Sequence, residues 1–258
     1  CGASFLLAFV SPQAADAMLV DYHRRGMIGR SELVVAALIN SFPSVVMHWR
    51  YLIPVYVPLL GVFGLIYFGI LMGIGFLKTG IVMAAGRGLL PPPPASGPPE
   101  KSSGPTPSVR EALRASLKPT AKTLRRILGI MIPTIVVVAF LVEAGVFDAV
   151  AAYLEGASRL FPIPPEGLAI VAAKFGSYVA AASLASGLLA AGDMAGRDIV
   201  ITLLVANLLT SVVTYLRWLG SFYAAIFGPR LGAEIMILSV ALQDGLLLIA
   251  IFLLAWLW

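Results

Sequence analysis

Residues 52–77 contain no charged side chain, and residues 231–258 contain only Glu234 and Asp244. Runs this long and apolar match the roughly 20 residues that a helix needs to cross a bilayer. Inside lipid the backbone must satisfy its own N–H and C=O groups, so the chain has few architectures open to it. Further apolar segments lie near 3–22, 32–49, 127–146, 167–191 and 199–218. At 59% hydrophobic and 12% charged residues, the chain is far less polar than a soluble domain. The expected fold is all-α: a polytopic transmembrane helical bundle in contact with the lipid bilayer.

The formal charge of +5 fits loops that face anionic lipid better than a nucleic-acid surface. A single cysteine, Cys1, excludes a disulfide framework and a cysteine-rich metal site. No metal and no cofactor is expected. The chain opens on Cys1 inside an already apolar stretch, so a further helix upstream is expected in the natural gene product.

Pro, Gly and Ser dominate "LLPPPPASGPPEKSSGPTPS", which cannot pack a core. Residues 86–109 are read as a linker. It separates a first unit, 1–85, from a second, 110–258, which opens on a basic, partly amphipathic helix. Nine of the eighteen Lys and Arg residues fall between Lys78 and Arg126, against only Glu100 and Glu111. This excess places the linker in the cytoplasm. If every segment spans, the turns carrying Arg24, Arg25 and Arg30 and the turn carrying Arg197 are also inside. Trp49, Tyr51, Trp218 and Tyr223 then anchor the outer interface. Re-entrant hairpins at 3–22 or 167–191 would change these orientations.

The chain also resembles itself. Shifted by 167 residues without gaps, 27–61 matches 194–228 at eleven of thirty-five positions. The matches include Arg30 with Arg197, Asn40 with Asn207, Ser44 with Ser211, Arg50 with Arg217, Tyr56 with Tyr223 and Gly61 with Gly228. Paired Asn, Arg, Gly and Tyr in one register are hard to obtain by chance, so two sequence-related repeats with interrupted helices are expected. Parallel and inverted arrangements both remain open.

The polar residues of the apolar segments mark the candidate site. "NSFPS" (40–44) is expected to break its helix, because Pro43 removes a backbone donor. "SPQ" (11–13) and "KFGSY" (174–178) interrupt the first segment of each repeat. Broken segments at matching places in two halves point to a binding site near the midplane. The candidates are Ser11, Gln13, Asn40, Ser44, Ser177, Asn207, Thr210 and Ser211. Taken singly, such side chains often only join helices, at about 0.6 kcal/mol each. Asp16, Lys174 and Asp244 are charged groups within apolar segments, where charge signals function. Pairing of Lys174 with Asp16 or Asp244 would lower the cost of burying them. Arg50 and Arg217 read as interfacial anchors, and His48 lies close to a segment end. There is no GxSxG, HExxH or phosphate-binding loop, so no enzymatic activity is expected.

The stretches "FGSYVAA" (175–181), "GRD" (196–198), "LLTSVVTYLRW" (208–218) and "YLIPVY" (51–56) resemble the Gate, or nucleoside-recognition, domain. That domain occurs in ferrous iron transporter B proteins, spore maturation proteins and concentrative nucleoside transporters. The resemblance covers roughly 1–78 and 125–258 and is closest to an uncharacterised prokaryotic, archaeal branch. It implies a gate-like membrane fold and transport of a small polar solute or ion, for which a nucleoside, an ion and a lipid headgroup are all open. Ser177 and Ser211 stand where the iron transporters carry cysteines, which argues against soft-metal ligation. A non-transporting scaffold or assembly partner is the alternative. A polar midplane cavity touching "NSFPS" and "NLLTS" would favour transport, and a dry packed interface the scaffold. A homo-oligomer is compatible with either.

Overall fold

The computed structural model describes residues 2–90, 160–215 and 220–258, with scattered positions between 125 and 153; the side chains of Ser44, Val45 and Ser221 are outside the described set. The expected segment at 127–146 falls largely outside the described residues. Residues 91–109 of the linker, the basic helix after it, Arg217 and Trp218 also lie outside them.

Among the described residues there is no strand. The first group of helices is α1 (Gly2–Ala8), α2 (Pro12–Arg24), α3 (Arg30–Met47), α4 (Trp49–Leu60) and α5 (Val62–Leu89). The second is α6 (Gly167–Gly176), α7 (Tyr178–Ala191), α8 (Gly196–Thr214), α9 (Gly220–Phe227) and α10 (Pro229–Leu257). A shift of 167 carries α2, α3 and α5 onto α7, α8 and α10 to within one residue at each end.

Among the described residues three helices, α5, α8 and α10, are long and apolar enough to cross a membrane. The 7 residues of α1 and the 10 of α6 are too short at 1.5 Å per residue. Each instead folds back beside its successor. Phe5 of α1 and Asp16 of α2 both reach the 40–42 turn of α3: Phe5 stacks on Phe42, and Asp16 bonds to Asn40. Gly167, at the start of α6, lies against Thr202 of α8 in the same way. The segments 3–22 and 167–191 are therefore helical hairpins. Their breaks sit at Ser11 and Ser177, each of which caps the helix that follows: Ser11 Oγ accepts from Ala14 N at 3.2 Å, and Ser177 Oγ from Val179 N at 3.2 Å.

The expected break at "NSFPS" does not occur. α3 stays helical through Pro43 and ends at Met47. Proline removes one backbone bond, but a packed neighbourhood can absorb the loss. Pro43 is buried, and the helix continues across the one bond it removes, that to the Ile39 carbonyl. The interruption falls instead at His48, between α3 and α4. In the second group the regular α-helix ends at Thr214, before Tyr215, the position 167 residues after His48.

The expected span at 52–77 is also corrected. Gly61 and Gly228 adopt φ of +57° and +88°, which side-chain-bearing residues rarely tolerate, and the chain reverses there. α4 and α9 thus end at reversals, and the spanning helices begin after them. α5 runs on to Leu89, so the first positions assigned to the linker are helix.

Contacts between helices fix their directions. Val35 meets Gly86, Phe42 packs on Phe76 at 4.9 Å between ring centres, and Tyr56 packs on Tyr67 at 4.8 Å. Hence α3 and α4 rise together while α5 descends beside them. Arg197 bonds to the Ala255 carbonyl, Ser211 to Asp244, and Gly232 abuts Tyr223, so α8 and α9 run together against α10. Between the groups, Phe63 covers Gly196 and Arg30 pairs with Glu234. The start of α5 therefore meets the start of α8, and the start of α10 meets the start of α3. The second group is inverted relative to the first. This corrects the orientation in which the Arg30 and Arg197 turns share a side: they lie at opposite ends of the bundle. The reason is that the hairpins α1–α2 and α6–α7 do not span.

Two outcomes test this architecture. A Cβ at Gly64 would collide with the Tyr56 carbonyl, whereas Gly69 faces open space. Gly64→Val is expected to cost about 2 kcal/mol or more, and Gly69→Ala less than about 1 kcal/mol, in detergent melts. In a Cys1→Ser background, cysteines at Met27 and Asp193 are expected to react with an impermeant thiol reagent from opposite faces of the membrane.

Candidate functional site

A cavity of about 570 Å³ lies between the two groups of helices. His48, between α3 and α4, and Tyr215, just after the last regular α-helical residue of α8, both line it, with Leu71 and Met72 of α5. The volume falls in the range typical of small-molecule sites.

The first group contributes Gln13, Asp16, Asn40 and Ser41 to the wall. Pro12 occupies the first position of α2, where its missing N–H is harmless. This start holds Gln13 and Asp16 on the cavity side. Asn40 and Asp16 are buried, and Asn40 Nδ2 donates to Asp16 Oδ1 at 3.3 Å. That bond leaves the second carboxylate oxygen of Asp16 without a hydrogen bond from a described side chain.

The second group contributes Asn207, Thr210, Ser211 and Thr214. Thr210 Oγ1 returns its proton to the Ala206 carbonyl at 2.7 Å. Ser211 Oγ stands 2.6 Å from the Leu208 carbonyl and 2.7 Å from Asp244 Oδ2. Its single proton serves one acceptor at a time, and Ser211 stands between Asp244 and the cavity. Asn40 and Asn207, matched by the 167-residue shift, thus reach the same cavity.

Several wall residues were not among the candidates singled out from sequence, Lys78 and Gln243 among them. Lys78 of α5 is buried in the wall, and its Nζ donates to Ser239 Oγ of α10 at 2.7 Å. It looks terminal in the sequence only because the apolar run seems to stop there. The continuation "TGIVMAAG" was the available signal, as was the shift that sets Lys78 beside Asp244. Lys78 and Asp244 interact electrostatically, but they do not form an ion pair within 4 Å. Gln243 also lines the cavity, and its Oε1 is buried without a hydrogen-bond partner.

Other expected members are elsewhere. Lys174 pairs with neither Asp16 nor Asp244. Its Nζ donates to Tyr56 Oη at 2.9 Å and lies 3.4 Å from Tyr67 Oη, over both rings at 5.4 and 5.7 Å from their centres. The break at the α6–α7 joint turns Lys174 toward α4 and α5 and away from the carboxylates. Ser11 and Ser177 act as helix caps and do not line the wall. Ser44 lies in α3, with its side chain outside the described set. Among the described residues no group of three or more His, Cys, Asp or Glu is placed to hold a metal ion.

Comparison with known proteins yields relatives that match nearly all of this chain over about four-fifths of their own length. The chain is 29% identical over 98% of its length, and 79% of the relative's, to uncharacterized protein MJ1556 of Methanocaldococcus jannaschii. It is 28% identical to uncharacterized protein MJ0871 of the same organism, over 98% of this chain and 78% of the relative. A third relative there, uncharacterized protein MJ0880, is 22% identical over 98% of this chain and 83% of its own length. No family model matches the chain, and no solved structure matches it.

Because Lys174 serves the α4–α5–α6 contact and not the cavity, Lys174→Met is expected to lower stability by about 1–3 kcal/mol in detergent melts, by removing the donor to both tyrosine hydroxyls, of which Tyr56 keeps its bond to the Tyr178 carbonyl. The same variant should leave thiol accessibility at the cavity unchanged.

Proposed function

We propose that the chain is a gate-family membrane transporter that moves a small polar solute by alternating access between two inverted repeats. The observation that carries this reading is one polar cavity touching Asn40 and Ser41 of the first group and Asn207, Thr210 and Ser211 of the second. The matched sequence, the matched helix bounds and the opposed directions support a duplicated, inverted unit. Breaks inside a membrane are tolerated where they are buried or line a cavity. Here the α3–α4 interruption at His48 lines one, together with Tyr215, which follows the last regular α-helical residue of α8. Rocking of one group against the other would then expose the cavity to either face in turn.

The Gate-domain resemblance supports the same reading, as does the placement of charge. The ends of α2 and α5 and the start of α3 share one side and carry Arg24, Arg25, Arg30 and Arg87, so that side is taken as cytoplasmic. A scaffold would be better served by a packed interface between the halves.

Single cysteines at Asn40 and Asn207, in a Cys1→Ser background in proteoliposomes, test the mechanism. Each is expected to react with an impermeant thiol reagent added to either face. Reaction from one face alone, or none at either residue, would count against alternating access.

A further inference from the structure

The cavity wall carries charges of both signs, and neither is neutralised by direct contact. Asp16 is buried and takes one hydrogen bond, from the neutral Asn40 side chain. Lys78 is buried and gives one, to the neutral Ser239 hydroxyl. An ammonium group has three donors and an ionised carboxylate about four acceptor sites, so both retain unused capacity. Asp244, the other acid nearby, is engaged by Ser211 and stands beyond ion-pair distance from Lys78. Buried charges without partners are costly in a low-dielectric interior. A ligand with one charge of each sign relieves both costs, whereas a neutral nucleoside relieves neither.

The rest of the wall favours an N–H cation at the acidic end. Gln243 Oε1, one turn of α10 from the Ser239 that Lys78 contacts, is a buried acceptor without a donor that lines the cavity; it offers a ligand N–H a contact but does not mark the acidic end. Phe222 and Tyr223 of α9 also line it, and α9 packs on α2, which bears Asp16. Tyr223 is close enough to Asp16 to interact with it electrostatically. A carboxylate beside aromatic rings is a setting that attracts ammonium groups, through charge and through the ring faces. Leu52, Leu71 and Met72 supply apolar wall for a side chain.

We propose that the cavity binds an amino-acid-class zwitterion, its ammonium group toward Asp16 and its acid group toward Lys78. This rests on the transporter reading and names the solute class for it. The test is binding to the purified full chain in detergent, by calorimetry and thermal shift, using the standard L-amino acids as probes. Matched alkylamines, matched alkanoates, uridine and adenosine serve as comparisons. At least one amino acid is expected to bind about tenfold or more tighter than the amine or alkanoate matched to it. Asp16→Asn and Lys78→Met should each lose that binding by a similar factor, while Asp16→Glu and Lys78→Arg retain part of it. The comparison among probes uses the unaltered chain, so a variant that fails to fold does not blunt the test. Binding of uridine or adenosine in preference, equal binding of the lone amine or alkanoate, or binding of no amino acid would overturn the proposal. If thiol access at Asn40 and Asn207 persists in that case, only the solute class falls. If access is lost as well, the transporter reading falls with it.

Discussion

Two helix ends at one cavity are the constraint on which the rest of the structure depends: the α3–α4 interruption at His48, and the end of the regular α8 helix at Thr214, with His48 and Tyr215 on the same wall. A helix break that faces lipid leaves backbone groups with neither water nor protein to bond, at several kcal/mol each. A cavity beside both ends gives such groups somewhere to bond. The long helices α5 and α10 pass on either side of that place and hold it with side chains: Lys78 bonds across to Ser239, and Ser211 to Asp244. The short hairpins α1–α2 and α6–α7 fill the gaps left where the broken helices diverge from full spans. α2 touches α9, and α7 touches α4, so each hairpin supports the other group's short helix.

This arrangement separates two kinds of buried cation. Lys174 has found tyrosine hydroxyls and ring faces, neutral partners that are largely used up by it. Lys78 has one hydroxyl and an open cavity beside it. Both are lysines in apolar surroundings, yet only the second faces space that a solute can occupy. The difference lies in what the neighbouring helices leave empty, which is why burial alone is a poor guide to a site.

Much of the candidate site was legible in the sequence. Asn40, Asn207, Thr210, Ser211, Gln13 and Asp16 all reach the cavity, because polar side chains in apolar helices must point at one another or at water. Ser11 and Ser177 were visible as interruptions but serve as caps, since a serine before a helix start answers the unpaired N–H groups of its first turn. Lys78 was missed because a charge at the apparent end of an apolar run looks interfacial until the length of the helix is known. Pro43 misled in the opposite direction. A proline weakens a helix locally, but whether the helix breaks depends on whether neighbours replace what it removes.

The sequence by itself determined the all-helical membrane class and most of the polar residues that line the cavity, and it carries the 167-residue self-match. Those follow from periodicity, hydropathy and identity, which are properties of the chain read along its length. Only the tertiary structure decided that the second group is inverted. That choice turns on two hairpins that fold back instead of crossing, and an apolar segment of about 20 residues has the same composition whether it spans once or doubles back. The partners of the charged groups were likewise settled in three dimensions. A charge in lipid takes whichever compensating group the packing brings within reach, and no spacing along the chain reports that.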